Sequence, residues 1–236
     1  DSLRKIVKSM KRAADEAGVK IVTGDTKVVH RGAADQLFIN TAGVGVIRSG
    51  ISMSAQKIQV GDSIIVNGYL GDHGAAILLA RKELDIQAEI ESDTQALNGL
   101  VDTILDVCME VRAMRDVTRG GLATVLNEFA MSSKVGIRLF EKKLPVREKV
   151  SAVCEILGLD PLYFANEGKL VTVVPPDKAD TVLKAMQSHP AGIDSAIVGE
   201  VFAPPSGSLG LVCLKNKFDT ERVIDMLTGD QLPRIC

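Results

Sequence analysis

Arg115-Asp116-Val117-Thr118-Arg119-Gly120-Gly121, running on into Leu122-Ala123-Thr124-Val125-Leu126, reads as a polar glycine turn that opens a helix. Two glycines ahead of a helix expose backbone N–H groups at its positive end, a setting that suits a phosphate. Thr118 and Arg119 add side-chain donors, and the Gly120 backbone can approach a ligand closely. Asp116 suits a magnesium ion that also takes phosphate oxygens. The same turn reads equally well as an ordinary helix N-terminus, because glycine turns are common. The chain holds neither a G-x-x-x-x-G-K-[ST] loop nor a dinucleotide fingerprint, so a nucleotide site here would be of another kind.

Working outward from this turn, apolar β-rich runs alternate with helical ones. Strands are expected at 62–68, 136–140, 169–174, 196–201 and 209–214. Helices are expected at 75–84, 95–111, 122–132, 148–157 and 177–187, with a further helical possibility at 220–227. The alternation indicates an α/β (α+β) domain with a mixed sheet over residues 51–214. A polar, irregular stretch at 49–61 marks its start. From Lys215 the expectation is a mobile tail, residues 215–236, interrupted by Lys215-Asn216-Lys217, Gly229-Asp230 and Pro233.

Ahead of that domain, residues 3–17 read as an amphipathic helix stopped by Gly18. Strands are expected at 21–23 and 36–47. One helix and two strands make a poor independent core, so residues 1–50 are expected to be the remainder of a first domain whose other strands lie upstream.

The 236 residues are 46% hydrophobic and 25% charged, the profile of a globular protein. A formal net charge of -2 argues against a dedicated nucleic-acid or membrane-surface binder, and 3% aromatics with no Trp argue against base-stacking platforms. No apolar run approaches the ~20 residues that span a bilayer. Cys108, Cys154, Cys213 and Cys236 are far apart, with no CxxC or Cys/His cluster. A reducing cytoplasm is therefore the default, and the first three, in apolar runs, read as buried small hydrophobes. Cys236 is different. It ends Gly229-Asp230-Gln231-Leu232-Pro233-Arg234-Ile235-Cys236, where a sulfur with chain on one side only can enter a narrow cleft. As a thiolate it is a nucleophile; nearby Arg234 favours that form and the terminal carboxylate opposes it, and the residue alone reads equally well as a chance cysteine on a disordered tail.

Gly24-Asp25-Thr26-Lys27 follows an apolar run, and Ala165-Asn166-Glu167-Gly168 leads into a strand. Either segment reads as an ordinary loop or as a way of placing a carboxylate or a lysine in a cleft. His73, in Gly71-Asp72-His73-Gly74, is a helix cap or a chemical group. His30 and His189 read as surface residues without partners.

Five strings together carry a resemblance: residues 22–29 (Val-Thr-Gly-Asp-Thr-Lys-Val-Val), Gly71-Asp72-His73-Gly74, Asp116-Val117-Thr118-Arg119-Gly120-Gly121, residues 164–170 (Phe-Ala-Asn-Glu-Gly-Lys-Leu) and the terminal Pro233-Arg234-Ile235-Cys236. In this order they resemble the HypE family of hydrogenase-maturation proteins, within the aminoimidazole-ribonucleotide-synthetase superfamily. The terminal string is the most specific, since it separates that family from its superfamily relatives. The resemblance implies an ATP- and magnesium-using enzyme, a homodimer through its N-terminal domain. Its terminal cysteine is carbamoylated by the carbamoyltransferase HypF and then dehydrated to a thiocyanate. The cyanide passes to iron on a HypC–HypD scaffold.

Carried over residue by residue, it implies that Cys236 accepts the carbamoyl group and that Glu167 is a general base. Lys27 neutralises charge, and Asp25, Asp116, Thr118, Arg119 and Gly120 form the phosphate side, with Asp116 on the metal. Two other classes stay open: a non-enzymatic carrier using Cys236 only as a handle, and a relative such as a thiamine-monophosphate kinase or selenophosphate synthetase.

Overall fold

The computed structural model describes residues 2–81 and 89–227. The chain divides into two compact units, Asp1–Ile51 and Ser52–Cys236.

In the first unit, helix α1 spans Ser2–Glu16 and is braced on its surface by Lys11–Asp15 at 2.6 Å. It stops where Gly18 takes φ +67°. The Gly18 N–H donates to the Asp15 carbonyl at 3.1 Å and the Val19 N–H to the Ala14 carbonyl at 2.9 Å. Those paired bonds satisfy carbonyls that the last turn leaves open. The strands expected at 21–23 and 36–47 do not form. Among the described residues this unit contains no β-ladder, and Val22, Val28, Phe38, Val44 and Val46 are exposed. A strand exists only by pairing, since its backbone N–H and C=O groups need partners outside the segment. An apolar run without a ladder partner is only extended chain.

The second unit is built on a seven-stranded sheet in the order β2-β4-β1-β5-β3-β6-β7. In chain order the strands are β1 Ser63–Val66, β2 Ala113–Asp116, β3 Gly136–Phe140, β4 Leu170–Val174, β5 Ala196–Phe202, β6 Leu211–Lys215 and β7 Glu221–Val223. All neighbours are antiparallel except β3 and β6, which run parallel. The mixed α/β architecture is the expected one. The helices are α2 Asp72–Ala80, α3 Asn98–Val107, α4 Gly121–Ser133, α5 Glu148–Leu157 and α6 Ala179–Gln187. Leu122, Leu126 and Phe129 of α4 bury against Ile64, Ile137, Val171 and Val212 of the sheet. Each such side chain contributes about 1.5–3 kcal/mol when taken out of water. Phe164 sits with Ala75 and Leu78 of α2 and Val150 and Cys154 of α5 in a separate cluster.

Four further local expectations are corrected. Residues 113–116 form edge strand β2, where a polar turn begins in the sequence reading. Residues 221–223 are strand β7, not a helix. The chain from Lys215 is a hairpin before any tail. Asn216 Oδ1 accepts the N–H groups of Phe218 and Thr220 at 2.9 and 3.1 Å, and Asp219 takes φ +65°. This turn folds Glu221–Val223 back onto β6, and Ile224 is fully buried. His189 has a partner: its Nδ1 accepts the Ala191 N–H at 3.1 Å.

Candidate functional site

The glycine turn lies where β2 ends. Thr118 Oγ1 donates to Asp116 Oδ2 at 3.1 Å, and the Gly121 N–H donates to the Thr118 carbonyl at 3.0 Å. Gly120 and Gly121 take φ +74° and +62°, a region that side chains disfavour, and α4 starts there. A Cβ on Gly121 would stand 2.7 Å from the Phe164 carbonyl oxygen, so only glycine lets the turn approach this close.

Residues 164–170 form the hub of the unit. Asn166, 1% exposed, accepts the Gly71 N–H on Oδ1 at 2.8 Å. Its Nδ2 donates to the carbonyls of Val117 and Phe164, each at 3.0 Å. The Asn166 N–H donates to the Val117 carbonyl at 3.1 Å, and the Val117 N–H donates to the Lys169 carbonyl at 2.9 Å. The helix-opening string 71–74 closes on the same hub. The Gly74 N–H donates to the Ala165 carbonyl at 3.0 Å, and a Cβ on Gly74 would be 2.9 Å from Phe164 Cδ2. Three strings far apart in sequence thus share one buried hydrogen-bonded junction.

Beside this junction is a cavity of about 580 Å³, lined among others by Asn67, Asp72, Asp93, Arg147 and Lys169. Asp72, the first residue of α2, accepts from Arg147 Nε at 3.1 Å, and the Arg147 guanidinium stacks 3.9 Å from the Tyr69 ring centre. Burial pushes the Asp72 carboxyl up from its ordinary range, and Arg147 pulls it part of the way back. The Lys169 ammonium lies 2.9 Å from Asp93 Oδ2. Asp93 Oδ1 accepts the Glu167 N–H at 2.9 Å. His73 Nδ1 lies 2.8 Å from Ser92 Oγ at the rim, a contact that sequence left open.

The structure brings Asp116, Thr118, Arg119 and Gly120 into one turn and ties Glu167 to it through Asn166. Asp25 and Lys27 belong to the first unit, on exposed extended chain, where Asp25 Oδ1 accepts the Thr26 N–H at 2.8 Å. Cys236 lies outside the described residues. Cys108, Cys154 and Cys213 are buried, as expected, and burial pushes the Cys154 and Cys213 thiols up to about 11. Among the described residues no group of three or more His, Cys, Asp or Glu is placed to hold a metal ion. Asp116 and the Thr118 hydroxyl are oxygen donors of the kind magnesium takes, but alone they are an incomplete set. Sequence reading passed over Asp93, Asn67 and the Asp72–Arg147 pair. The signal present was a run of chemistry-bearing residues, Glu91-Ser92-Asp93-Thr94, in a segment without helical or strand periodicity.

Two family models match the sequence. Residues 1–47 match the N-terminal domain of AIR synthase related proteins and residues 59–212 match their C-terminal domain. The carbamoyl dehydratase HypE of Azotobacter vinelandii is 50% identical over 234 residues, which are 99% of this chain and 68% of that protein. The chain belongs to the HypE family of carbamoyl dehydratases. A crystal structure of a HypE in complex with ATP is 44% identical with a TM-score of 0.92, covering 99% of this chain and 70% of that one. A HypE–HypF complex is 46% identical with a TM-score of 0.91, covering 96% and 72%. Within this HypE-family chain, the glycine turn, the Asn166 hub and the charged cavity all lie in the part that matches the C-terminal domain model.

Proposed function

We propose that this protein is the ATP-dependent dehydratase of hydrogenase maturation, converting a carbamoyl group on the Cys236 sulfur into a thiocyanate. The observation that carries the reading is the junction at Asn166. It ties Glu167, a half-buried carboxylate, through its neighbour Asn166 to Val117, the residue that leads into the glycine turn at the start of α4. The relatives matched at 50% identity are carbamoyl dehydratases, which favours this reading over a thiamine-monophosphate kinase or a selenophosphate synthetase. A mere carrier would need the thiol and nothing of this junction.

The chemistry follows from the poor leaving ability of a carboxamide oxygen. That oxygen attacks the γ-phosphorus of ATP and displaces ADP, while nitrogen gives up one proton. The C–O bond of the resulting O-phosphoryl isoimide then breaks, phosphate leaves, and the second N–H proton is removed as the C≡N bond forms. The balance is R–S–C(=O)NH2 plus ATP giving R–S–C≡N, ADP and phosphate. Glu167 takes the protons from nitrogen, and Lys27 neutralises charge on oxygen and phosphate. Asp25, Thr118, Arg119 and the Gly120 backbone hold the phosphate chain. Magnesium, carried by ATP with Asp116 as one ligand, would screen the phosphate charge.

HypF is the expected donor of the carbamoyl group, by likeness to the HypE–HypF complex. Transfer of cyanide to a HypC–HypD scaffold, a homodimer through the N-terminal domain and a cytoplasmic location belong to the same reading. No helix among the described residues is long and apolar enough to cross a membrane.

The test is Glu167→Gln. Carbamoylation of Cys236 by the partner enzyme should proceed, while thiocyanate formation slows by ~10²–10⁴-fold, the usual loss for a positioned acid–base group. Mass spectrometry of the C-terminal peptide distinguishes the two adducts. Thiocyanate formed at the wild-type rate would remove Glu167 from the mechanism.

A further inference from the structure

We propose that Asp93 is a positioning residue for Glu167, with Lys169 as its buried counterion. The proposal rests on the reading of Glu167 as the base and adds the group that sets its backbone. Asp93 reaches across 74 positions of sequence to accept the Glu167 N–H on Oδ1 at 2.9 Å. Its other oxygen lies 2.9 Å from Lys169 Nζ, with the two side chains 3% and 7% exposed. One carboxylate therefore grips both residues that flank Gly168.

The grip is reinforced on either side. Gln95 Nε2 and Asn67 Nδ2 both donate to the Gly168 carbonyl, at 2.9 and 3.1 Å. A Cβ on Gly168 would overlap the Asp93 backbone and stand 2.7 Å from Gln95 Cγ. Asp93–Gln95 and Glu167–Lys169 are thus interlocked without a β-ladder, since neither tripeptide belongs to a strand. Asp93 is the charged member of this lock.

Energetics argue that the ion pair is there for geometry. Taking two charges out of water costs several kcal/mol per ion, and a buried pair commonly adds no more stability than apolar residues of the same volume. What the carboxylate supplies is direction at one oxygen: Oδ1 fixes the Glu167 N–H, while Oδ2 meets Lys169 Nζ as a charge contact without hydrogen-bond geometry. The same cavity holds a second ion pair, Arg147 on Asp72, beside Lys169 on Asp93. A base displaced by a fraction of an ångström loses much of its advantage, and a misplacement near 1 Å costs on the order of a hundredfold.

The experiment is a double-mutant cycle on protein carbamoylated at Cys236, followed through one turnover with ATP. Asp93→Ala should slow thiocyanate formation about tenfold to a hundredfold and leave KM for ATP unchanged. Asp93→Asn, which keeps an oxygen for the Glu167 N–H, should lose less. In a Glu167→Gln background, Asp93→Ala should cause no further loss, because its action passes through Glu167. Circular dichroism and the unfolding midpoint establish that each variant is folded, and if Asp93→Ala does not fold the cycle is run with Asp93→Leu, which also lacks an acceptor for the Glu167 N–H. A wild-type rate in the folded Asp93 variant overturns the proposal, as does a cycle in which the two losses multiply. A wild-type rate in Glu167→Gln alone overturns the base assignment itself, and is read separately from the cycle.

Discussion

Asn166 Oδ1 accepts the Gly71 N–H at 2.8 Å, joining residues 95 positions apart at the point where α2 begins. Gly71 takes φ +87° there, and no side chain caps the helix. The Asn166 amide thus does for α2 what a cap would do, while its Nδ2 holds Val117 ahead of the glycine turn. One side chain sets two helix entrances.

Asn166→Ala should destabilise the second unit by about 2–4 kcal/mol, because it strands the Gly71 N–H and the Phe164 carbonyl and leaves the Val117 carbonyl with only the backbone N–H of residue 166. Asn166→Asp should be as harmful, since it keeps the acceptor for Gly71 but turns oxygen toward the carbonyls of Val117 and Phe164. Urea unfolding of both variants checks the magnitude. A loss under about 1 kcal/mol would mean that water replaces the side chain.

How much of this was legible varies with the distance over which each feature is encoded. Strand Gly136–Phe140 and helix Glu148–Leu157 were readable to the residue, because apolar periodicity and flanking glycines are local. β2 escaped because two of its four residues, Arg115 and Asp116, are charged and exposed on a sheet edge. β7 reads as helix in sequence because Glu221, Arg222 and Asp225 break any alternation, and only the Asn216 turn returns it to β6. The strings around Gly71, Asp116 and Glu167 were legible singly. Their convergence was not, since nothing in a spacing says that Asn166 bonds both Gly71 and Val117. Asp93 was invisible for the same reason.

Selective labelling should single out Cys236. The Cys154 and Cys213 thiols are buried and pushed up to about 11, and burial also raises Cys108. At pH 8 a thiol with a pKa near 11 is thiolate about one part in a thousand, and the thiolate is the reacting form. Iodoacetamide on the native protein should alkylate Cys236 and spare the other three, while denatured protein takes four labels. Peptide mass spectrometry reads the count. Rapid native labelling of Cys154 or Cys213 would contradict their burial.

Asp72 gives a pH signature of defined sign. Its folded pKa is raised above 3.8, chiefly by burial, with Arg147 opposing. Between 3.8 and that raised value the folded state binds more protons than the unfolded one, so stability from this site falls as pH rises through the window. Asp72→Asn does not titrate. The stability of Asp72→Asn relative to wild type should therefore drop as pH is lowered through the window and stay level above it. Unfolding midpoints for both proteins across that range test it, and an Asp72→Asn stability that rises relative to wild type on acidification reverses the sign.

The hairpin at Lys215–Ile224 carries the last prediction. Ile224 is fully buried, its N–H donates to the Val212 carbonyl at 2.9 Å, and Asn127 Nδ2 donates to its carbonyl at 3.0 Å. One residue on, the Asp225 carbonyl accepts from Tyr163 Oη at 2.9 Å. Ile224→Ala removes a buried side chain from the main core and should cost about 2–5 kcal/mol. Asn127→Ala leaves a buried carbonyl with one donor fewer and should cost about 1–3 kcal/mol. Tyr163→Phe breaks a half-exposed bond that water can replace, and should cost about 0.5–1.5 kcal/mol. The order of the three matters more than any one value. It places the anchor of the C-terminal segment at Ile224, so a fluorophore on Phe218 should report the same environment with and without ATP. A Phe218 signal that shifts on adding ATP, or an Ile224→Ala loss smaller than that of Tyr163→Phe, would move the anchor elsewhere.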